Sequence, residues 1–162
     1  MQYTVRHAID SDLNRIEEIY AYARSFMKDH GNPDQWGTSY PSQSMLWEDI
    51  ENHRLYVVEA EGTIHGVFFF YIGEDACYNR IYEGQWRSDC PYGTIHRIAG
   101  DGSGGILKAA VSFGKTQISH LRIDTHADNW VMQNAVAVLG FSRRGIVYME
   151  DDTPRIAYDL II

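Results

Sequence analysis

The chain has little with which to staple itself together. Its two cysteines, Cys77 and Cys90, lie thirteen positions apart and form no CxxC pair. That spacing argues against a disulfide framework or a zinc–thiolate site and for buried or idle thiols. The seven histidines (7, 30, 53, 65, 96, 120, 126) make no HxxxH run and no i,i+4 pair on a predicted helix, so no metal site is expected. No apolar stretch reaches the roughly 18 residues of a membrane span, and Met1–Arg6 has no signal-peptide core, which makes the cytoplasm the default location. Basic residues are outnumbered, 14 Lys and Arg against 22 Asp and Glu, for a net charge of −8. With no basic stripe, neither nucleic acid nor a membrane is an expected partner. No serine sits in a GxSxG elbow, and Cys90 has no visible activating partner. An anion bound by this chain must be held by local backbone amides, because the overall potential repels it.

What is present reads as one ordinary folded unit. At 162 residues and 44% hydrophobic content, residues 1–162 suit a single domain able to bury about 70% of its unfolded surface. Gln2 to His7 alternates like a strand. Asp10 or Ser11 can cap a helix whose apolar positions, Leu13, Ile16, Ile19, Tyr20, Ala23, Phe26 and Met27, follow three-four spacing up to the breaker Gly31-Asn32-Pro33. Pro41-Ser42 opens a shorter helix to about Glu51. Arg54–Ala60 and Thr63–Ile72 flank Glu61-Gly62 as a hairpin. Residues 73–93 show no clear period. Strands are predicted at Tyr92–Ala99, His120–Thr125, Phe141–Glu150 and Pro154–Ile161, with helices from Gly104 to about Lys115 and from Asn129 to about Leu139. The order β-α-α-β-β-β-α-β-α-β-β implies an α/β (α+β) layer fold, a mixed sheet of six or seven strands flanked by about four helices.

The densest signal is Thr94–Ala110, a strand running into four glycines within six residues (Gly100, Gly102, Gly104, Gly105) and then a helix. Glycines admit a ligand close to the backbone, and a helix start presents unpaired N–H groups to an anion. Gly100, Gly102 and Gly105 formally match GxGxxG, with Asp124 ending a strand some twenty residues on, which leaves a nicotinamide or nucleotide site open. That fingerprint normally follows a first strand, whereas at least three predicted strands precede it here.

A second constellation points elsewhere. His120-Leu-Arg-Ile-Asp-Thr-His-Ala-Asp-Asn129 is a strand emptying into a helix cap, and Gly140-Phe141 follows before the closing strands. Together with Arg6-His7-Ala8, Asp12 and the element order, this resembles the GNAT superfamily of acyl-CoA-dependent N-acetyltransferases along nearly the whole chain. The resemblance implies acetyl-CoA as co-substrate, no metal, and a small-molecule or peptide amine as acceptor, joined in one ternary complex. It implies that Gly102, Ser103, Gly104, Gly105 and Ile106 hold the pyrophosphate. His96, Arg97 and Ile98 would lie on the strand that carries the pantetheine arm, with an amide near Ile98 polarising the thioester. Asn129 would bind the pantetheine or fix the last helix. The chain departs from the family pattern twice. Gly102 stands where Arg or Gln is usual in the loop, and Leu107 where its last glycine is usual. Val136 occupies the position of a frequent Tyr acid. These departures keep open a non-catalytic acyl-CoA-binding module.

For the chemistry, His126 at a strand end is a candidate acid or base, against the plainer role of a loop histidine bonded to Asp124 or Asp128. Tyr148 and Glu150, beside Asp152 on the closing strands, are candidates for the acceptor side, with Glu150 as a proton acceptor. Strand alternation should send His96 and Arg97 to opposite faces. Trp36, Tyr40 and Trp86 lie in loops suited to wall an amine site. The acidic balance favours a cationic acceptor, and the late strands offer an edge through which two copies could pair as a homodimer.

Overall fold

A computed structural model describes residues 2–162. Its elements follow the predicted order: β1 (Thr4–His7), α1 (Leu13–Asp29), α2 (Gln43–Glu51), β2 (Leu55–Ala60), β3 (Thr63–Ile72), β4 (Gly93–Gly100), α3 (Ile106–Gln117), β5 (His120–Thr125), α4 (Trp130–Val138), β6 (Ser142–Tyr148) and β7 (Pro154–Ile161). Boundaries shift where caps take over. Ser42 lies outside α2 and accepts from Met45 N at 3.3 Å, and α3 begins only after the left-handed Gly105. Asp10–Asp12 form a short 3-10 turn before α1. There Asp12 accepts from Ile9 N and from both terminal nitrogens of Arg6.

The seven strands form one mixed sheet in the order β1-β2-β3-β4-β5-β7-β6. Every neighbouring pair is antiparallel except β4 with β5. The alternating strand residues build two layers. Leu55, Val57 and Val67 pack with Leu13, Ile16, Ile19 and Tyr20 of α1 and with Leu46 and Ile50 of α2. Val58, Phe68, Phe70 and Ile95 face α3 and α4 through Ile106, Ala110, Val111 and Val136. Glycine sets the height of α3 over the sheet. A Cβ at Gly66 would lie 2.4 Å from Ile106 Cγ2, and one at Gly100 2.9 Å from Ile106 Cγ1. The two bare positions let Ile106 seat the first turn of α3 directly against the end of β4.

The aperiodic stretch before β4 is a strap over the C-terminal half of the sheet. It contains a 3-10 turn at Ala76–Tyr78 and a single bridge from Tyr82 to Ile146. Two clamps hold it. The Arg122 guanidinium lies 3.9 Å from the ring centres of both Trp86 and Tyr92. The fully buried Asp159 of β7 accepts from Arg87 N, Nε and Nη2 at 3.3, 3.0 and 2.7 Å. Asp159→Ala removes the acceptor from under the strap. Because Arg87 can turn to water, the cost falls below that of a wholly buried pair, at about 2–3 kcal/mol, or a melting temperature lower by about 5–10 °C. A thermal melt of the variant checks this value, and an unchanged melting temperature would mean that the clamp holds nothing.

Candidate active site

β4 and β5 pair only at Gly93–Leu121 and Thr94–Arg122. Beyond those two rungs the parallel strands part, and the flank of β4 that faces β5 is left without a strand partner. On its other side β4 carries a bulge. Phe69 pairs with His96 and Val67 with Ala99, so Arg97 and Ile98 stand opposite Phe68 alone. Arg97 takes up the extra residue with a left-handed φ of 50°, and its carbonyl accepts from Tyr20 Oη at 2.6 Å. The bulge corrects the expected alternation of His96 and Arg97. Both side chains lie on the same face against Phe69, the imidazole with ring centres 5.7 Å apart and the guanidinium 4.6 Å from the ring. Ile98 packs into the opposite layer, beneath α3 and α4.

Two residues past the last rung, on the same face of each strand, His96 of β4 and Asp124 of β5 confront one another where the strands part. His96 Nδ1 is 3.6 Å from Asp124 Oδ2, too long for a direct hydrogen bond. The other ring nitrogen, Nε2, is 2.7 Å from Asp75 Oδ2. Tyr78 Oη donates to Asp124 Oδ2 at 2.6 Å. Burial by itself would raise the Asp75 carboxyl, but the hydrogen bond and charge of His96, with Cys77 N and Arg97, hold it below its ordinary value. Asp75 is therefore an anion at neutral pH. It favours the tautomer with hydrogen on Nε2, which leaves the Nδ1 lone pair facing the gap. Burial, reinforced by the charges of Asp124 and Asp75, pushes the Tyr78 phenol well up, so it remains a donor. An imidazole oriented by a carboxylate, with 21% of its side chain exposed to solvent, is the arrangement of a proton acceptor.

The other predicted residues divide among several places. Arg97 forms an ion pair with Asp49 of α2. Burial alone would lower its guanidinium, but Tyr40, Asp49 and Tyr20 together outweigh that and raise it. Trp36 is buried in the layer under α1 and meets Tyr20 edge-on, and Tyr40, half-exposed, stands beyond it. Trp36, Tyr40, His96 and Arg97 thus gather on one side of the parted strands. Trp86 lies in the strap, donating Nε1–H to Tyr78 O at 2.9 Å. His126 takes the plainer of its two roles, its Nδ1 accepting from Asp128 N at 3.0 Å. Asn129 caps α4 by accepting from Met132 N at 3.1 Å. Tyr148 packs edge-on against Tyr82 at the far edge of the sheet. Glu150 is exposed on the β6–β7 turn and near Cys77. Val136 is wholly buried and offers no acid.

The glycine turn sits at the opposite end of α3 from the rungs. Gly102, Gly104 and Gly105 all have positive φ. The first intrahelical bond is Ala109 N to Gly105 O, so the amides of Ile106, Leu107 and Lys108 precede it as helix-start donors. Asp101, a negative charge in a would-be anion cradle, is drawn aside. Its carboxylate accepts from Arg15 Nη2 at 2.9 Å and Ser103 N at 3.0 Å and pairs with His65 Nδ1 at 2.8 Å. Beside the turn, between β1 and α3, runs a groove of about 750 Å³ lined by Tyr3, Ser103, Lys108, Ser112 and Phe113 among others. Among the described residues, no group of three or more His, Cys, Asp or Glu is placed to hold a metal ion. No helix there is long and apolar enough to cross a membrane.

Nothing in the sequence marks Asp75, Asp124 or Tyr78 as a residue of this site beforehand. Asp124 can be reached from His96 once the Thr94–Arg122 rung is known. Asp75 and Tyr78 lie in the strap, which carries no periodic signal.

No protein-family model and no curated protein matches the sequence. Solved structures do match. A GNAT-family acetyltransferase from Streptococcus agalactiae superposes with a TM-score of 0.88 at 27% identity, covering 99% of this chain and 95% of that one. A ribosomal-protein-alanine N-acetyltransferase from Brucella melitensis gives 0.64 at 18% identity, with 98% and 99% covered. A GNAT-superfamily phosphinothricin acetyltransferase from Sinorhizobium meliloti, in complex with AcCoA, gives 0.66 at 15% identity, with 100% and 89% covered.

Proposed function

Because the chain has the fold of the GNAT superfamily, we propose that it transfers an acetyl group from acetyl-CoA to a primary amine of a small molecule or peptide, by direct attack in a ternary complex. The observation that carries this reading is the parting of β4 from β5 with His96, oriented by Asp75, at the point where they part. The free flank of β4 beyond Thr94 is an edge on which an extended pantetheine arm can pair. The turn at Gly102–Ile106 holds the pyrophosphate with backbone amides, and the Ile98 amide, next to the bulge, polarises the thioester carbonyl. The groove beside β1 has room for the nucleotide end. Acetyl-CoA supplies the activated acyl group, and the residues supply position and proton transfer.

His96 Nδ1 takes a proton from the incoming ammonium, and Asp75 stabilises the imidazolium that forms. The freed amine forms its C–N bond to the acyl carbon as the C–S bond breaks, and the new amide nitrogen gives up its second proton to water. The sulfur keeps the electron pair of the broken bond and takes a proton from water in turn, since Val136 has nothing to give. Acetyl-CoA and the ammonium thus become the amide, free CoA thiol and the one proton left on His96. Tyr40, backed by the buried Trp36, walls the acceptor, and the Arg97–Asp49 pair fixes the shape of that wall.

A calorimetric titration with acetyl-CoA, with NAD and ATP as controls, tests the donor. Thiol release across a panel of diamines, spermidine, kanamycin and lysine-containing peptides tests the reaction. Micromolar binding of acetyl-CoA alone, with amine-dependent thiol release, is the expected result. Binding without release for any amine would favour the non-catalytic module that Val136 motivates. Binding of NAD or ATP with acetyl-CoA excluded would overturn both.

A further inference from the structure

We propose that Gln35 is a positioning residue of the acceptor site, a clamp that fastens the loop between α1 and α2 onto the turn between β5 and α4. Its role as a wall-builder rests on the acetyltransferase reading above; the clamp itself does not. One atom does the fastening. Gln35 Oε1 accepts from Asn32 Nδ2 at 3.0 Å, within its own loop. From across the cleft it accepts from Thr125 Oγ1 at 3.3 Å, His126 N at 3.3 Å and Asn129 Nδ2 at 3.2 Å. The backbone N–H of His126 can only donate, and Asn129 presents Nδ2 because its Oδ1 is taken by Met132 N, so the group facing them is the oxygen and not the amide nitrogen. An sp² oxygen has two lone pairs, and four donors around it share them as a single polar knot.

The position of the knot gives it a function. The next residue, Trp36, packs against Tyr20 and Tyr40, the two aromatics that stand beside Arg97 on the β4 side of the gap. The three donors across the cleft belong to the end of β5 and the cap of α4. The loop therefore starts on β4's side, anchored through Trp36 and Tyr20, and is tied at Gln35 to β5's side. The chain crosses where the two strands have parted and no ladder joins them. Asn129 is committed at both ends of its side chain, Oδ1 to Met132 N and Nδ2 to Gln35. The helix cap and the acceptor wall are thus set by one contact.

Because the clamp only accepts, its chemistry can be tested without changing its size. Gln35→Glu keeps an oxygen for every donor, whereas Gln35→Leu keeps the volume and removes all four bonds. Hydrogen exchange of the full chain is the first readout. In Gln35→Leu the amides of residues 32–41 and 126–130 should exchange at least tenfold faster, with the sheet amides unchanged, and in Gln35→Glu all should stay within about twofold of the parent. The second readout is kinetic, using the panel amine with the highest turnover. Gln35→Leu should raise its KM about tenfold and leave kcat and the Kd for acetyl-CoA within about threefold, and Gln35→Glu should restore the KM. Unchanged exchange in Gln35→Leu would overturn the clamp. Faster exchange with an unchanged KM would overturn its role at the acceptor site. Failure of every amine to turn over would count against the acetyltransferase reading, and the exchange data would still decide the clamp. If Gln35→Leu fails to fold, Gln35→Asn, one methylene short of the three partners across the cleft, should show the same pattern at reduced size.

Discussion

Replacing His96 by Gln should lower kcat for amine acetylation about 10²–10³-fold, within the roughly 10²–10⁴-fold that a positioned general base supplies, while the Kd for acetyl-CoA changes little. Glutamine preserves bulk and can still donate to Asp75, but it cannot take a proton. Asp75→Asn should cost less, about tenfold to a hundredfold, because it frees the tautomer and weakens the imidazolium without removing the base. Two further substitutions serve as controls. Glu150 and His126 are of residue types that suit proton transfer, but neither bonds to His96 or Asp75. Glu150 stands beside Cys77 and His126 Nδ1 accepts from Asp128 N, so Glu150→Gln and His126→Gln should leave kcat within about threefold. A large loss in Glu150→Gln together with a small one in His96→Gln would move the base to the β6–β7 turn.

The difference between these residues shows what the sequence can and cannot disclose. Periodicity is enough for the sheet and helices, because each buried stripe repeats within its own element. Ile16, Ile19 and Tyr20 on α1, or Val58 against Val57 on β2, declare their faces locally. The glycine turn is legible for the same reason, since its left-handed positions 102, 104 and 105 are all held by glycine. His96 stands out in the sequence only as a residue of the co-substrate strand, because its role as a base depends on partners 21 and 28 positions away. Alternation also fails at Arg97, where a bulge residue reads like any other strand residue. Asp75 sits in a strap held by side-chain contacts to Asp159 and Arg122, which leave no period in the strap's own sequence. Gln35 is the extreme case, an uncharged residue in a turn-rich loop whose partners lie 90, 91 and 94 positions on.

Gly105→Glu should abolish acetyl-CoA binding, with at least a hundredfold rise in Kd, and leave the chain folded. Gly105 has a φ of 78°, and its Cβ would lie 3.2 Å from Tyr3 Cε2. A side chain there costs about 1–2 kcal/mol in backbone strain, a fraction of the ~5–15 kcal/mol that holds a domain of this kind together. A carboxylate at a helix start is itself favourable to the helix, which offsets part of the strain and is also why binding should fail. The new anion sits among the amides of Ile106, Leu107 and Lys108 that the pyrophosphate needs, and repels it at close range. Gly105→Ala separates the two effects, since it carries the strain without the charge and should weaken binding about tenfold or less. Acetyl-pantetheine, which has no pyrophosphate, separates the turn from the rest of the site. Its turnover should be low in the parent and the same in Gly105→Glu, while turnover of acetyl-CoA falls to that level. If acetyl-CoA binds the folded glutamate variant as it binds the parent, the pyrophosphate does not lie on the start of α3. If both thioesters fail equally, the substitution has disturbed the parted strands themselves, and the seat of Ile106 on Gly66 and Gly100 is the route by which it would do so.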